Sequence, residues 1–212
     1  MLPKASLGQH FFRISADFSI KEKNADSTVN LTVGKVYYDK NIKKIIYKVS
    51  FPRPETWVVY DTSVYKIENG KVKERLKSTS IAEFSIFHLA LNGDLHEFGL
   101  KNTPFKLSSV TKEDSMIVAV WKPDPRIGKT FGKIVLSKVR RRIYGIAFYK
   151  PNGKLAGKQI FRKFVNTKGC DFPSEILQFQ YTPKGENKQI TSFKNIKIDQ
   201  ANDPKLFDFP LP

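Results

Sequence analysis

The residues of this chain with chemistry to offer are few, and their spacing limits what they can do. His10, His88 and His96 are too scattered to read as a ligand set. "HEFGL" (96–100) opens as a zinc-binding helix does, but Leu100 stands where the second histidine belongs. The single cysteine, Cys170 in "KGCDFP", has no neighbouring histidine to activate it and no second thiol to pair with. It reads as a structural thiol. "PDPRIGKTFG" (123–132) ends like a phosphate loop, yet Pro123 occupies the position that requires the first glycine, and two prolines oppose a nest of backbone donors. Glu113, Asp114 and Asp124 make no constellation with a nucleophile. The expectation is no enzyme, no metal and no cofactor.

The basic residues are more numerous. The chain of 212 residues carries 37 Lys+Arg against 20 Asp+Glu, a net charge of +17 and a pI near 9.8. Such charge favours acidic partners: nucleic acid, anionic lipid headgroups or acidic proteins. "SKVRRRIYG" (137–145) is the densest run, and with Tyr38, Tyr47 and Tyr149 it can be drawn as a nucleic-acid platform. Against this, "KNIKK" (40–44) and "KVKERLK" (71–77) spread the charge along the chain, and the aromatic-glycine motif of the RNA recognition module is absent. The run reads as a solvated hairpin tip, and no nucleic-acid partner is expected. A run of eighteen apolar residues, as a membrane-spanning helix needs, does not occur.

The elements that must position these residues are mostly strands. "ISADFSIKEK" (14–23), "TVNLTVGKVYYDK" (28–40) and "KIIYKVSF" (44–51) alternate with period two. The second changes parity at Gly34, where a bulge is cheap. "ETWVVYD" and "SVYKI" follow, with an Asn-Gly hairpin at "ENGK" (68–71). Residues 78–100 break the pattern. Ser80 and Glu83 fit a capping box, "IAEFSIFHLALNG" is apolar nearly all round, Gly93 is a stop, and "DLHEFG" (94–99) is a short second helix. Strands resume at Phe105 and run to residue 198. About eleven strands with one helical insertion predict a large antiparallel sheet with helices packed on one face, in a single domain over 1–212.

Several segments, in order, resemble the LolA/LolB family of outer-membrane lipoprotein carriers. "GKVYYDKNIKKIIYKVSFPRPETWVVYDTSVYKI" (34–67) resembles the family's Gly-x-aromatic strand and the strands after it. "NTPF" (102–105) is the sharpest match, at the point where the lid helices return to the sheet. "WKPD" (121–124), "FGKIVLSKVRRRIYGIAFYKPNGKLAGKQIFRKFV" and "FDFPLP" (207–212) follow in family order. The resemblance covers nearly the whole chain as a pattern of elements. It is closer to LolA, the periplasmic chaperone, because the lipidated N-terminal cysteine of LolB proteins is not seen near residue 1.

What the resemblance implies is an unclosed antiparallel half-barrel, with lid helices (about 79–99) on its concave face. It further implies a monomer that shelters the acyl chains of lipoproteins and carries them across the periplasm. Its partners would be an inner-membrane ABC-type releasing complex, and the outer membrane or a lipoprotein receptor there. The start would then be a mature form whose leader has been replaced by Met1. A LolB-like receptor, or another lipid-binding or envelope-sensing protein on the same scaffold, is the alternative. Strand parity places Val36, Tyr38, Ile45, Tyr47, Val49 and Val58 on the concave, acyl-binding face. Phe84, Phe87, Leu91 and Phe105 fall on the lid side. Many LolA sequences have Arg-Pro where this chain has Lys40 and Asn41, so Lys40 is the candidate lid latch.

Overall fold

A computed structural model describes residues 11–77, 85–200 and 203–211. Thirteen strands form one antiparallel sheet: β1 (Arg13–Lys23), β2 (Val29–Asp39), β3 (Lys44–Phe51), β4 (Glu55–Tyr60), β5 (Ser63–Glu68), β6 (Lys71–Lys77), β7 (Phe105–Glu113), β8 (Met116–Pro123), β9 (Ile134–Val139), β10 (Arg142–Tyr149), β11 (Leu155–Thr167), β12 (Cys170–Thr182) and β13 (Gly185–Ile198). The first six run as a meander out to one edge. The last seven start at the other edge and meander back, and β13 closes the order by pairing with β1. The sheet is an open half-barrel with β6 and β7 as its unpaired edges.

The thirteen strands exceed the count of about eleven expected. "KVKERLK", the second arm of the "ENGK" hairpin, carries Lys71, Lys73, Arg75 and Lys77 on one parity and is a cationic edge strand. Charges there discourage pairing with another chain. The bulge expected at Gly34 is present, as a register shift between Val33 and Gly34 against β3. The hairpin at "ENGK" is also present, with Asn69 and Gly70 both at positive φ (50° and 74°).

The segment from β6 to β7 carries α1 (Ile86–Leu91) and two single 3-10 turns, Leu95–Glu97 and Leu100–Asn102. The Ser80–Glu83 capping box lies outside the described residues. Within them, the cap is Ser85, whose hydroxyl accepts from the His88 amide at 3.2 Å. Gly93, at φ +71°, is the stop. The second helix is shorter than expected, because Phe98 and Gly99 are both left-handed and end its turn. In order along the chain, α1 rests on β1 and β12, the first 3-10 turn on β10 and the second on β7.

Two apolar clusters lie on opposite faces of the sheet. The larger sits under α1 and includes Phe18, Val36, Tyr38, Phe87, Phe161, Phe172 and Phe193. The smaller is formed by Ile46, Val58 and Ile67, and the C-terminal Phe209 and Leu211 pack onto it. Phe207 is buried against Tyr37, with ring centroids 5.6 Å apart, and Lys44 holds the segment by a 2.7 Å ion pair to Asp208. Residues 207–211 thus cover part of the convex face.

Candidate functional site

On the concave face, beside α1, lies a hollow of about 630 Å³. A hollow of this size and lining is typical of a small-molecule site. Strands β3 and β4 supply Ile45, Tyr47 and Val59; α1 and the following turns supply Phe87, Phe98 and Leu100; the far strands supply Phe148, Phe161, Ile176 and Phe193. Tyr47 is the pivot of the near wall. Its ring meets Phe18 edge-on at 5.2 Å and Trp57 at 6.3 Å. Burial pushes its hydroxyl up to about 12. Tyr47 is only half-buried because it faces the hollow, whose described lining holds no charged side chain to stabilise a phenolate.

The "NTPF" corner frames the opposite wall. Thr103 donates from Oγ1 to the Leu100 carbonyl at 2.7 Å and accepts from the Phe105 amide at 3.3 Å. Pro104 halts the preceding turn, and its carbonyl accepts from the Asp124 amide at 2.8 Å. Phe105 is thereby delivered into the hollow as the first residue of β7.

Of the residues chosen by parity, Ile45, Tyr47, Phe87 and Phe105 come together in this wall. Val36, Tyr38 and Val49 share the concave face but are sealed in the core next to it. Leu91 is also core, and borders a separate cleft of about 690 Å³ at the C-terminal end of α1, where Lys40, Arg141, Arg142 and Asp171 make a charged lining. Val58 is on the wrong face for a cavity residue. It pairs with Ile46, and residues directly opposite on paired strands share a face, so Trp57 and Val59 point inward instead. Phe84 lies outside the described residues.

Among the described residues no hydrogen bond joins Lys40 to α1. Its ammonium sits over the Phe12 ring at 5.0 Å, and its amide donates to the Phe12 carbonyl. The polar tie between β2 and the lid comes from Tyr38, whose hydroxyl lies 2.6 Å from His88 Nδ1. A histidine on an otherwise apolar helix signals such a tie, because a buried ring nitrogen needs a partner. Cys170 is buried beneath the lid, with its thiol 3.5 Å from the Ala90 carbonyl. Burial, and then the charges of Asp171 and Asp199, push the thiol up to about 11, which leaves it inert as a nucleophile. No group of three or more metal-ligating side chains occurs among the described residues.

The sequence reading missed the wall built by β11, β12 and β13. Its signal was the alternation that places Gln159 and Phe161, Ile176 and Gln178, and Gln189, Thr191 and Phe193 on one parity.

No family model and no curated protein matches this chain. Solved structures do match. A LolA superfamily protein of Nitrosomonas europaea superposes with a TM-score of 0.60 at 15% identity, over 93% of this chain and 90% of its own. This chain has the LolA fold. A Vibrio parahaemolyticus domain named for outer membrane lipoprotein sorting gives a TM-score of 0.64 at 12% identity, over 92% and 89% of the two chains. A DUF1329 family protein of Desulfovibrio piger gives 0.63 at 15%, over 94% and 91%. The open antiparallel sheet described above is therefore a fold that this chain shares with these proteins.

Proposed function

We propose that this chain is a lipid-binding carrier of the LolA type, acting as one domain that shelters lipoprotein acyl chains between the inner and outer membranes. The observation that carries the reading is the aromatic hollow of about 630 Å³ between the sheet and the lid. A sixteen-carbon chain gains about 12 kcal/mol from complete burial, so leaving a bilayer requires an equally apolar shelter. Aromatic walls supply it without catalysis, and no reaction is proposed.

The charge of +17 fits the same reading, since a basic surface is drawn to anionic headgroups at either membrane. The periplasm is the proposed location. An ABC-type releasing complex and an outer-membrane acceptor are the proposed partners, and the carrier works as a monomer.

The test is co-expression with a triacylated lipoprotein, followed by native mass spectrometry and lipid extraction of the purified protein. A stoichiometric complex is expected. An empty protein, with the lipoprotein retained in the inner membrane, would refute the carrier role and favour a receptor or lipid-sensing protein on the same scaffold.

A further inference from the structure

The hollow has a chemical polarity along its strands. At one end of the series stands the Phe18–Phe193 pair, both buried and the second lining the hollow. The next row across the sheet is Phe161, Ile176, Thr191 and Ile20. One step nearer the strand ends, the row becomes Gln159, Gln178, Gln189 and Glu22. Three glutamines on three adjacent strands thus form one transverse band, and each of them lines the hollow.

Their amides are only partly used. Gln159 Nε2 donates to Gln178 Oε1 at 3.2 Å, and Gln189 Nε2 donates to Thr191 Oγ1 at 2.9 Å. Among the described residues, Gln178 Nε2, Gln159 Oε1 and Gln189 Oε1 make no hydrogen bond, which leaves one whole NH2 group and two amide oxygens of the row without a protein partner.

The hollow also lacks ions. In a chain with 37 Lys+Arg, none of its described lining residues is charged. The one ion in the glutamine row is Glu22, an anion at its outer end. Amides serve esters, amides and hydroxyls well; they offer a carboxylate no counter-charge.

We propose that the glutamine row seats the uncharged ester or amide junction through which acyl chains join their head, and that the hollow discriminates against the free carboxylate of a fatty acid. This rests on the acyl-carrier reading.

Binding of monodecanoylglycerol and of decanoate, which carry the same chain, is compared at pH 8 by calorimetry. An uncharged apolar dye reports uptake into the hollow itself. The ester should bind at least about tenfold more tightly, as one or two satisfied hydrogen bonds and an unpaired buried charge require. Gln178→Met keeps the bulk and removes the amide. It should weaken the ester severalfold while uptake of the apolar dye is retained or rises, since methionine makes the lining more apolar. Gln159→Met, on the neighbouring strand, gives the same reading if the first variant does not fold.

Equal affinity for ester and carboxylate, or an unchanged ester affinity in a folded variant, would overturn the proposal while dye uptake upholds the carrier. Failure of the wild type to take up dye or either lipid would overturn both.

Discussion

Replacing Tyr47 with glutamate puts a titratable charge into the near wall, and the native tyrosine indicates the cost. Its hydroxyl is raised from 10.0 to about 12 by burial alone. Two pKa units correspond to about 2.7 kcal/mol against the charged form at that place. A carboxyl there meets a similar environment, so its pKa should rise from about 4.3 to about 6. The sign follows from linkage. With the folded pKa above the unfolded one, the carboxyl's contribution to stability is fully present below about pH 4. It is lost as pH rises through about 6, leaving the variant about 2–3 kcal/mol worse off at pH 8 than at pH 4. Loss of the ring contacts with Phe18 and Trp57 adds a cost common to both pH values. Tyr47→Gln carries that cost without titrating and is the control. Urea denaturation of wild type, Tyr47→Glu and Tyr47→Gln at both pH values separates the terms. Acyl binding should be abolished in Tyr47→Glu at pH 8 and partly regained near pH 5. A Tyr47→Glu stability profile parallel to that of Tyr47→Gln would mean position 47 faces water, and the inward assignment of β3 would fall.

Phe87→Ala should cost about 3–5 kcal/mol in denaturant unfolding and remove hydrogen-exchange protection from α1. Phe87 is buried against Tyr38, Phe172 and Phe193, and a cost under about 1 kcal/mol would mean the lid is not docked. Gly34→Ala should destabilise by about 1–3 kcal/mol, read as a lowered Tm, because its methyl would overlap the Lys48 carbonyl at the β2–β3 bulge. Cys170, with its thiol raised to about 11, should react with a disulfide reagent at pH 8 far more slowly in the native chain than in urea. The thiolate fractions alone make the difference about a hundredfold or more, and equal rates would refute its burial under Ala90.

The sheet was legible because alternation is a local property, and Ile45, Tyr47, Val49 and Phe51 declare a face without reference to any partner strand. Relative phase between strands was harder to read. "ETWVVYD" is apolar on both parities because β4 is covered on both sides, by the hollow and by the C-terminal segment. Only the pairing of Val58 with Ile46 decides which side is which. Lys40 shows a related difficulty. A latch inferred from a neighbouring position in a resembling family ignores the aromatic at Phe12, which captures the lysine first. The glutamine row was invisible because no single strand contains it. It exists only in the register of β11 with β12 and of β12 with β13.

On the proposed carrier reading, the chain order would let the hollow both hold and release a ligand. The strand meanders end at opposite edges, so the segment between β6 and β7 has to pass from one edge to the other, and its described part lies on the concave side. Within that segment α1 has six residues, too few to be stable alone. It depends on what it rests on: Phe87 among the sheet aromatics, and His88 bound to Tyr38. Phe87 and Phe193 line the hollow and also dock the lid. On that reading an acyl chain and the docked lid would compete for the same aromatic surface, and the net affinity would be the difference between two large burial terms rather than the whole of one. A carrier needs that difference to be small. Stiffening α1 should weaken capture, and loosening the Tyr38–His88 tie with Tyr38→Phe should strengthen capture by up to about tenfold, the worth of one hydrogen bond. Calorimetry with monodecanoylglycerol reads this directly, and weaker binding in Tyr38→Phe would show that the lid supports the ligand instead of competing with it.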